Sequence, residues 1–130
     1  MEPFRVLIAD DHPIFRHGVQ AMLAAASDLT CVGEARTGQE AVDVAASLQP
    51  DVVLMDIVMP KKSGIEATSE IVKALPNVKV VACSTVDQNS MVMRALDAGC
   101  CNYVVKPFKA EDVLKAVRAA SQLKSKEVGV

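Results

Sequence analysis

The feature that most constrains the fold is an unbroken run of apolar, strand-forming residues that ends in a single acid. Residues Val52 to Met55 are all apolar, and Asp56 follows them directly. Such a run is typical of a strand buried on both faces, as in the parallel sheets of α/β domains. Pro60 and Gly64 then end the strand and supply a turn. Asp56 is therefore predicted at the carboxyl end of a central strand, which is where open parallel sheets bind their ligands.

Four further strand-like segments alternate with segments of helical spacing. The five predicted strands are 5–10, 30–35, 52–56, 78–84 and 101–106. Strands that alternate with helices over short connections indicate a parallel sheet with helices on both faces. We therefore predict an α/β fold of the flavodoxin-like, doubly wound (βα)5 class with strand order 2-1-3-4-5. One domain is expected over residues 1–124, followed by a frayed tail at 125–130.

Capping residues predict where the helices begin. Asp11 or His12 is expected to cap the first helix. The capping-box patterns Thr37 to Glu40 and Ser63 to Glu66 predict the starts of the second and third helices. Polar residues 87–90 are expected to cap the fourth helix. In the first helix, four apolar residues recur at helical spacing and are predicted to form its inner face: Ile14, Val19, Met22 and Leu23.

Polar side chains stand at the ends of four of the five predicted strands. They are Asp10, Asp11, Asp56, Ser84 and Lys106. In the predicted order the first and third strands are neighbours, so the three acids should share one crevice. Three carboxylates repel one another unless a cation joins them, and Mg²⁺ prefers oxygen ligands of this kind. An anionic nucleophile, a divalent ion, an ammonium and a hydroxyl are most of what phosphoryl transfer requires, so Asp56 is predicted to accept a phosphoryl group.

Together these residues resemble the receiver domain of bacterial two-component response regulators, and the resemblance extends from residue 5 to about residue 124. It is carried by Asp10-Asp11, by Asp56 to Pro60 with Gly64, by Ser84, and by Tyr103 to Phe108. Residues 8–16 resemble receivers of the NarL/FixJ type, whereas Lys106-Pro107-Phe108 is more similar to the chemotaxis and OmpR types.

The resemblance implies how the acids work. Asp56 is the expected phosphoacceptor, and the expected donor is a phosphohistidine of a sensor histidine kinase or of a phosphotransfer protein. The implied cofactor is Mg²⁺, with Mn²⁺ as a possible substitute. Asp11, Asp56 and the main-chain carbonyl of Val58 are expected to bind the ion, and Asp10 is expected to act mostly through a metal-bound water.

The resemblance also implies an output. Ser84, Thr85 and Lys106 are expected to hold the phosphoryl oxygens. When Ser84 moves towards the phosphate, Tyr103 is expected to fill the vacated space, which repacks the face formed by the fourth helix, the fifth strand and the fifth helix. That face would act on a separate downstream protein or on a DNA-binding effector domain of a longer chain, and both remain open. The domain is expected to be a monomer or a phosphorylation-dependent dimer.

Three other functions share some of these features. A Mg²⁺-dependent phosphatase with an aspartyl nucleophile would need a second acid two residues after Asp56, where this chain has Val58. A flavodoxin-like carrier would need a hydroxyl- and glycine-rich loop in place of residues 10–13. A docking module that works without phosphorylation would not need the complete site. We therefore expect a signalling switch that assists its own phosphorylation and dephosphorylation, and not an enzyme with external substrates.

The overall composition limits the partners and the compartment. The formal net charge is -2 and the sequence pI is about 5.6, so this chain is not expected to bind nucleic acid or a membrane directly. The longest apolar runs are shorter than the roughly 18 residues of a spanning helix, so the protein is expected to be cytoplasmic. The cysteines show no C-x-x-C spacing and are expected to be small buried residues in a reducing compartment: Cys31, Cys83, Cys100 and Cys101.

Overall fold

The computed structural model describes residues 2–85 and 89–123. Five strands and five helices alternate along it: β1 (Phe4–Ala9), α1 (Pro13–Ala24), β2 (Leu29–Ala35), α2 (Gly38–Leu48), β3 (Val52–Asp56), α3 (Gly64–Ala74), β4 (Lys79–Thr85), α4 (Asn89–Ala98), β5 (Asn102–Lys106) and α5 (Ala110–Ser121). Each strand boundary lies within one residue of its prediction. The predicted tail at 125–130 lies outside the described residues, and so do two residues of the predicted cap, Asp87 and Gln88.

The strands form one parallel sheet in the order β2-β1-β3-β4-β5. This order confirms the predicted flavodoxin-like, doubly wound α/β fold. β3 lies at the centre, where Leu54 is flanked by Ile8 of β1 and by Val81 of β4. All five residues of β3 are buried, which explains why its sequence is apolar without alternation. Burying each of its large aliphatic side chains stabilises the fold by roughly 1.5–3 kcal/mol.

Two apolar cores lie on opposite faces of this sheet. In one core, Val19 of α1 and Val117 of α5 pack in the same cluster as Leu54 of β3. In the other core, Ile71 of α3 joins residues of α2 and α4 in a cluster that includes Val53 of β3. Successive side chains of a strand point to opposite faces, so β3 needs apolar residues at every position to serve both cores.

Helix α1 presents most of the predicted residues to the core, with Arg16 in addition and Ile14 as the exception. Its buried residues are Arg16, Val19 and Leu23, whereas Ile14 is 88% exposed. Residues 16, 19 and 23 form one row at helical spacing, and residue 14 lies roughly 200° around the helix from residue 16. The predicted inner position of Ile14 is therefore wrong, and a charged residue takes the place that an apolar one was expected to fill.

Side-chain caps fix the starts of α2 and α3 as predicted. Ser63 Oγ accepts a hydrogen bond from the Glu66 N–H, and the Glu66 carboxylate accepts one from the Ser63 N–H, so this box is reciprocal. Thr37 Oγ1 accepts from the Glu40 N–H at 3.0 Å. The Glu40 carboxylate, however, accepts from the N–H of Arg36, one residue before the cap. Each cap satisfies a donor that the first turn of a helix otherwise leaves unpaired.

Three of the four cysteines are at least partly buried. Cys83 and Cys100 are buried and Cys31 is partly buried, but Cys101 is exposed. The predicted burial is therefore wrong for Cys101, because its neighbour Cys100 takes the inward position before β5.

Among the described residues, the helices are all too short or too polar to cross a bilayer.

Gly64, the first residue of α3, lies where an added side chain has no room. An ideal Cβ at this position would lie 2.0 Å from the carbonyl oxygen of Asp56 and 2.7 Å from the Cα atom of Ile57. Both are main-chain atoms at the end of β3, so neither can rotate away. We expect Gly64→Ala to lower the free energy of unfolding by about 2 kcal/mol, as measured by urea denaturation.

Gly18→Ala is the matched control for this substitution. A Cβ at Gly18 of α1 meets no atom of the described residues within 4 Å outside its own helical surroundings. Alanine there should raise the free energy of unfolding by about 0.5–1 kcal/mol, because glycine inside a helix is entropically costly. Equal losses for the two alanine variants would contradict the proposed steric cause.

Candidate functional site

The carboxyl ends of three strands bring two acids and an ammonium into contact. Asp10 directly follows β1, Asp56 ends β3 and Lys106 ends β5. Lys106 Nζ donates a hydrogen bond to Asp10 Oδ2 at 2.8 Å and lies 3.6 Å from Asp56 Oδ2. Neighbouring strands are about 4.8 Å apart, so β5 lies roughly two spacings from β3, a gap that a lysine stem can span. The sheet order thus brings together side chains that are far apart in the sequence.

Four side chains at this edge offer ligand atoms within 4.8 Å of one another: Asp10, Asp11, His12 and Asp56. Asp10 is 1% exposed, and its Oδ1 accepts a hydrogen bond from the His12 N–H at 2.9 Å and lies 3.0 Å from His12 Nδ1. His12 occupies the cap position of α1 without a side-chain bond to the helix. His12 is thus the cap residue of α1, one of the two predicted, but its side chain makes no capping bond. Asp10 instead engages both the main chain and the ring of His12.

Burial controls the ionisation of Asp56, which is 6% exposed. Loss of hydration raises the pKa of its carboxyl group from 3.8 to about 6; the charge of Lys106 opposes this rise and that of Asp10 adds to it. Burial lowers the pKa of Lys106, but the hydrogen bond to Asp10 and the charge of Asp56 outweigh it and raise that pKa. Near neutral pH, Asp56 is therefore a poorly hydrated carboxylate beside an ammonium.

Two hydroxyl residues close β4 at the same edge. Asp56 pairs with Cys83 in the sheet, so Ser84 stands one residue beyond Asp56. Ser84 is 1% exposed, and its Oγ has no hydrogen-bond partner among the described residues. A buried hydroxyl without a partner costs roughly 1–3 kcal/mol. Thr85 pairs with Lys106 across the β4–β5 ladder, so both hydroxyl residues lie at the strand ends that carry the ammonium and the acid.

Val58 and Tyr103 occupy exposed positions around this site. Val58 is 45% exposed, and its N–H donates to Asp56 Oδ1 at 3.2 Å, which ties the loop after β3 to the carboxylate. Tyr103 of β5 is 43% exposed. With Phe108 and Lys115 among other residues, it lines a cavity of about 380 Å³ between β5 and α5. There is thus open space beside the Tyr103 ring.

Sequence reasoning missed the aromatic contact that holds the lysine. Lys106 Nζ lies 4.0 Å from the centroid of the Phe15 ring of α1. The Phe15 ring in turn packs edge-on against Phe108, with 5.4 Å between the centroids. A cation over an aromatic face is attracted to it by about 0.5–2 kcal/mol. The two rings therefore restrict where the Lys106 ammonium can lie.

Arg16 of α1 is the second side chain that sequence reasoning missed. It is 7% exposed, and its Nη1 donates to the main-chain carbonyl of Asp10 at 2.6 Å. The sequence did carry a signal for this position, because Arg16 precedes Val19 and Leu23 at helical spacing and so shares their inward face.

The carboxylate oxygens at this edge of the sheet are suitable ligands for a hard divalent cation. Asp11 Oδ1 is buried and accepts no hydrogen bond within the part of the chain that the structure describes, although His12 Nδ1 lies 3.3 Å away. Carboxylate oxygens are the ligands that Mg²⁺ prefers, and it usually takes one or two of them. The residues present therefore fit Mg²⁺, with Asp10, Asp11 and Asp56 as the available acids.

Comparison with known proteins identifies the family. Residues 6–118 match the family described as the response regulator receiver domain. The response regulator protein VraR of Staphylococcus aureus is 42% identical over 118 residues, which cover 91% of this chain and 56% of VraR. The chain thus spans little more than half the length of the curated relatives that it matches.

Solved structures agree with this assignment. The response regulator domain of Thermotoga maritima CheB superposes with a TM-score of 0.87 at 30% identity, covering 95% of this chain and 99% of that chain. A chain of the CheX–CheY–BeF3–Mg²⁺ complex from Borrelia burgdorferi superposes with a TM-score of 0.80 at 30% identity, covering 91% of this chain and 89% of that chain. The chain therefore belongs to the receiver domain family of two-component response regulators.

Proposed function

We propose that this receiver domain is a phosphoacceptor switch in which Asp56 takes a phosphoryl group from the phosphohistidine of a sensor histidine kinase or of a phosphotransfer protein. A carboxylate oxygen of Asp56 forms the new bond to phosphorus while the phosphorus–nitrogen bond of the donor breaks, and the donor imidazole takes up a proton. The product is an acyl phosphate on the receiver. The domain acts in the cytoplasm and turns over no external substrate.

The observation that carries this proposal is the contact of one ammonium with two acids at the end of the sheet. Lys106 Nζ lies 2.8 Å from Asp10 and 3.6 Å from Asp56. An incoming phosphoryl group brings negative charge to Asp56, and an ammonium already held in place stabilises that charge without reorganisation. Phosphoryl transfer depends mainly on such positioning and electrostatics, since it requires little covalent chemistry from the protein.

We assign the metal ligands from the resemblance to receiver domains. Asp11, Asp56 and the main-chain carbonyl of Val58 would hold Mg²⁺, and Asp10, whose carboxylate is already bonded to Lys106 and His12, would act through a bound water. When bound, Mg²⁺ neutralises charge on the phosphoryl oxygens. The Borrelia complex, which contains both Mg²⁺ and BeF3, supports this assignment by similarity.

Ser84, Thr85 and Lys106 would hold the phosphoryl oxygens in the product. The unpartnered Ser84 hydroxyl supports this role, because a hydrogen bond to the phosphoryl group would satisfy it. Movement of Ser84 would let Tyr103 turn inward from its exposed position and repack the surface formed by α4, β5 and α5. That surface would act on a downstream protein or on an effector domain, with the receiver as a monomer or a phosphorylation-dependent dimer.

We assign the receiver domain to residues 1–124, with residues 125–130 as a tail. The match of residues 6–118 to the family supports these limits. The match covers 56% of VraR. An effector domain is one of the partners that we propose for the receiver.

Incubation with acetyl phosphate and Mg²⁺, followed by intact-mass measurement, tests the proposal. The wild-type chain should gain one phosphoryl group, and EDTA should suppress the gain. Asp56→Asn should gain none, whereas Asp97→Asn, which changes an exposed acid of α4, should behave as the wild type. Uptake by Asp56→Asn at the wild-type rate would contradict the proposal. A folded wild type that gains no phosphoryl group would favour the docking module instead.

A further inference from the structure

A buried arginine links the edge strand to the acids of the site. Arg16 of α1 is 7% exposed. Its Nη1 donates to the Asp10 carbonyl oxygen at 2.6 Å, and its Nε donates to Glu34 Oε1 of β2 at 2.9 Å. The hydrogen bond from Arg16 holds the pKa of the Glu34 carboxyl below its ordinary value. The guanidinium is therefore fixed from one side by a carboxylate and binds the main chain with its other side.

We propose that Arg16 is a positioning residue that sets the geometry of the two adjacent acids Asp10 and Asp11 for binding the divalent cation. This inference rests on the proposed function, because it assumes that these acids bind Mg²⁺. Arg16 does not touch the ion or the phosphoryl group in this proposal; it acts through the peptide that joins the two acids.

The geometry of that peptide carries the argument. The carbonyl that Arg16 binds belongs to the peptide unit between Asp10 and Asp11, so its orientation determines where the Asp11 main chain and side chain start. The Asp10 N–H donates to the Ala35 carbonyl of β2 at 2.9 Å. Residue 10 is thus held through its N–H by Ala35 and through its carbonyl by Arg16, which is itself anchored on Glu34. Without Arg16, only the first of these two restraints remains.

A purely structural role explains Arg16 less well. Its neighbours in the inward row of α1 are Val19 and Leu23, and an apolar residue at position 16 would avoid the cost of removing a guanidinium from water. Buried ion pairs are commonly no more stabilising than well-packed apolar residues of similar size. An apolar residue, however, could not hold the carbonyl of Asp10. Substitution of a residue that holds a metal ligand in place typically weakens metal affinity by about 10- to 100-fold.

The test is the Mg²⁺ dissociation constant, measured by isothermal titration calorimetry on the unphosphorylated chain, together with the melting temperature in EDTA. Arg16→Met keeps an unbranched stem and removes both donors, and it should weaken Mg²⁺ binding by about 10-fold or more. Arg16→Lys keeps the charge but has a single donor group, which cannot serve Asp10 and Glu34 with the same planar geometry. It should weaken binding less than Arg16→Met and by more than twofold.

Arg118→Met is the matched control. Arg118 of α5 also forms an ion pair between elements, with Asp28 before β2 through two hydrogen bonds of 2.7 and 3.0 Å, but it contacts none of the site residues in the described contacts. Its loss should lower the melting temperature at most and should leave Mg²⁺ affinity within twofold of the wild type. The pair of variants thus separates lost stability from lost positioning.

The outcomes distinguish this inference from the proposed function. If the wild type binds Mg²⁺ and Asp56→Asn binds it weakly, but Arg16→Met binds it as the wild type does, the positioning role is wrong and the proposed function stands. If Arg16→Met does not fold, a wild-type Mg²⁺ affinity in Arg16→Lys overturns the positioning role. If the wild type binds no Mg²⁺, both proposals fail.

Discussion

Replacing Lys106 with methionine is expected to slow the phosphorylation of Asp56 by acetyl phosphate by about 10²- to 10³-fold. This is the range for loss of one preorganised donor that stabilises developing negative charge. Methionine keeps an unbranched stem against Phe15 but removes the ammonium that lies 3.6 Å from Asp56. The loss should also raise the pKa of Asp56 above about 6, because the charge of Lys106 now opposes the effect of burial.

The rate of mass gain at fixed acetyl phosphate and saturating Mg²⁺ measures this effect. Lys109→Met is the control, since Lys109 is an exposed lysine at the start of α5. It should be phosphorylated within twofold of the wild-type rate. A Lys106→Met protein that is folded and phosphorylated as fast as Lys109→Met would show that the ammonium does not assist the transfer.

Asp56→Asn is expected to raise the free energy of unfolding of the metal-free domain by about 3 kcal/mol at pH 7. The pKa of Asp56 is about 6 in the folded protein and has an ordinary value of 3.8. A difference of about two pKa units corresponds to about 3 kcal/mol between the two protonation states. Keeping Asp56 ionised therefore destabilises the folded protein by about this amount, and an uncharged amide of similar size removes the destabilisation.

The pH dependence has a definite sign. The pKa of Asp56 is raised in the folded protein, so the fold is destabilised only when this carboxyl group ionises. The free energy of unfolding therefore has its full contribution from Asp56 below about pH 4 and loses it as the pH rises through about 6. The advantage of Asp56→Asn should therefore be small at pH 4 and reach its full size above pH 6. The free energy of unfolding of Asp56→Asn must be compared with that of the wild type at each pH. The lowered pKa values of Asp28 and Glu34 give both proteins a further pH dependence of the opposite sign.

Urea denaturation in EDTA at several pH values measures this difference. Asp97→Asn, at an exposed position of α4, should change the free energy of unfolding by less than about 0.5 kcal/mol at every pH. Added Mg²⁺ should stabilise the wild type more than Asp56→Asn, because a ligand that binds the folded state adds to its stability. An Asp56→Asn protein that is less stable than the wild type at pH 7 in EDTA would contradict the unfavourable burial of this charge.

The placement of Asp10, Asp56 and Lys106 could be predicted from sequence because it depends on two robust properties. Runs such as Val52 to Met55 identify strands without reference to the rest of the chain. Once five strands alternate with helices, parallel packing requires their carboxyl ends to meet at one edge of the sheet. The residue that follows each run is then assigned to that edge by counting along the chain.

The errors concern which way a helix or a loop residue faces. The apolar pattern places Ile14 inward and does not single out Arg16, because such a pattern fixes the rotation of a helix only to within about one residue, or roughly 100°. Asp11 or His12 is the predicted cap of α1, and His12 does occupy that position, but without a capping bond from its side chain. A local capping rule does not include the Asp10 carboxylate, which binds the His12 N–H. Contacts such as that of Lys106 with the Phe15 ring depend on packing between distant elements, which no single segment encodes.

Borohydride trapping of the phosphorylated chain tests the identity of the phosphoacceptor. Borohydride reduces an aspartyl phosphate to homoserine, and peptide mass spectrometry then locates the homoserine in the sequence. After treatment with acetyl phosphate and Mg²⁺, we expect homoserine at position 56 and at no other aspartate. Homoserine at another aspartate, or a phosphoryl gain with no homoserine at position 56, would contradict the role given to Asp56.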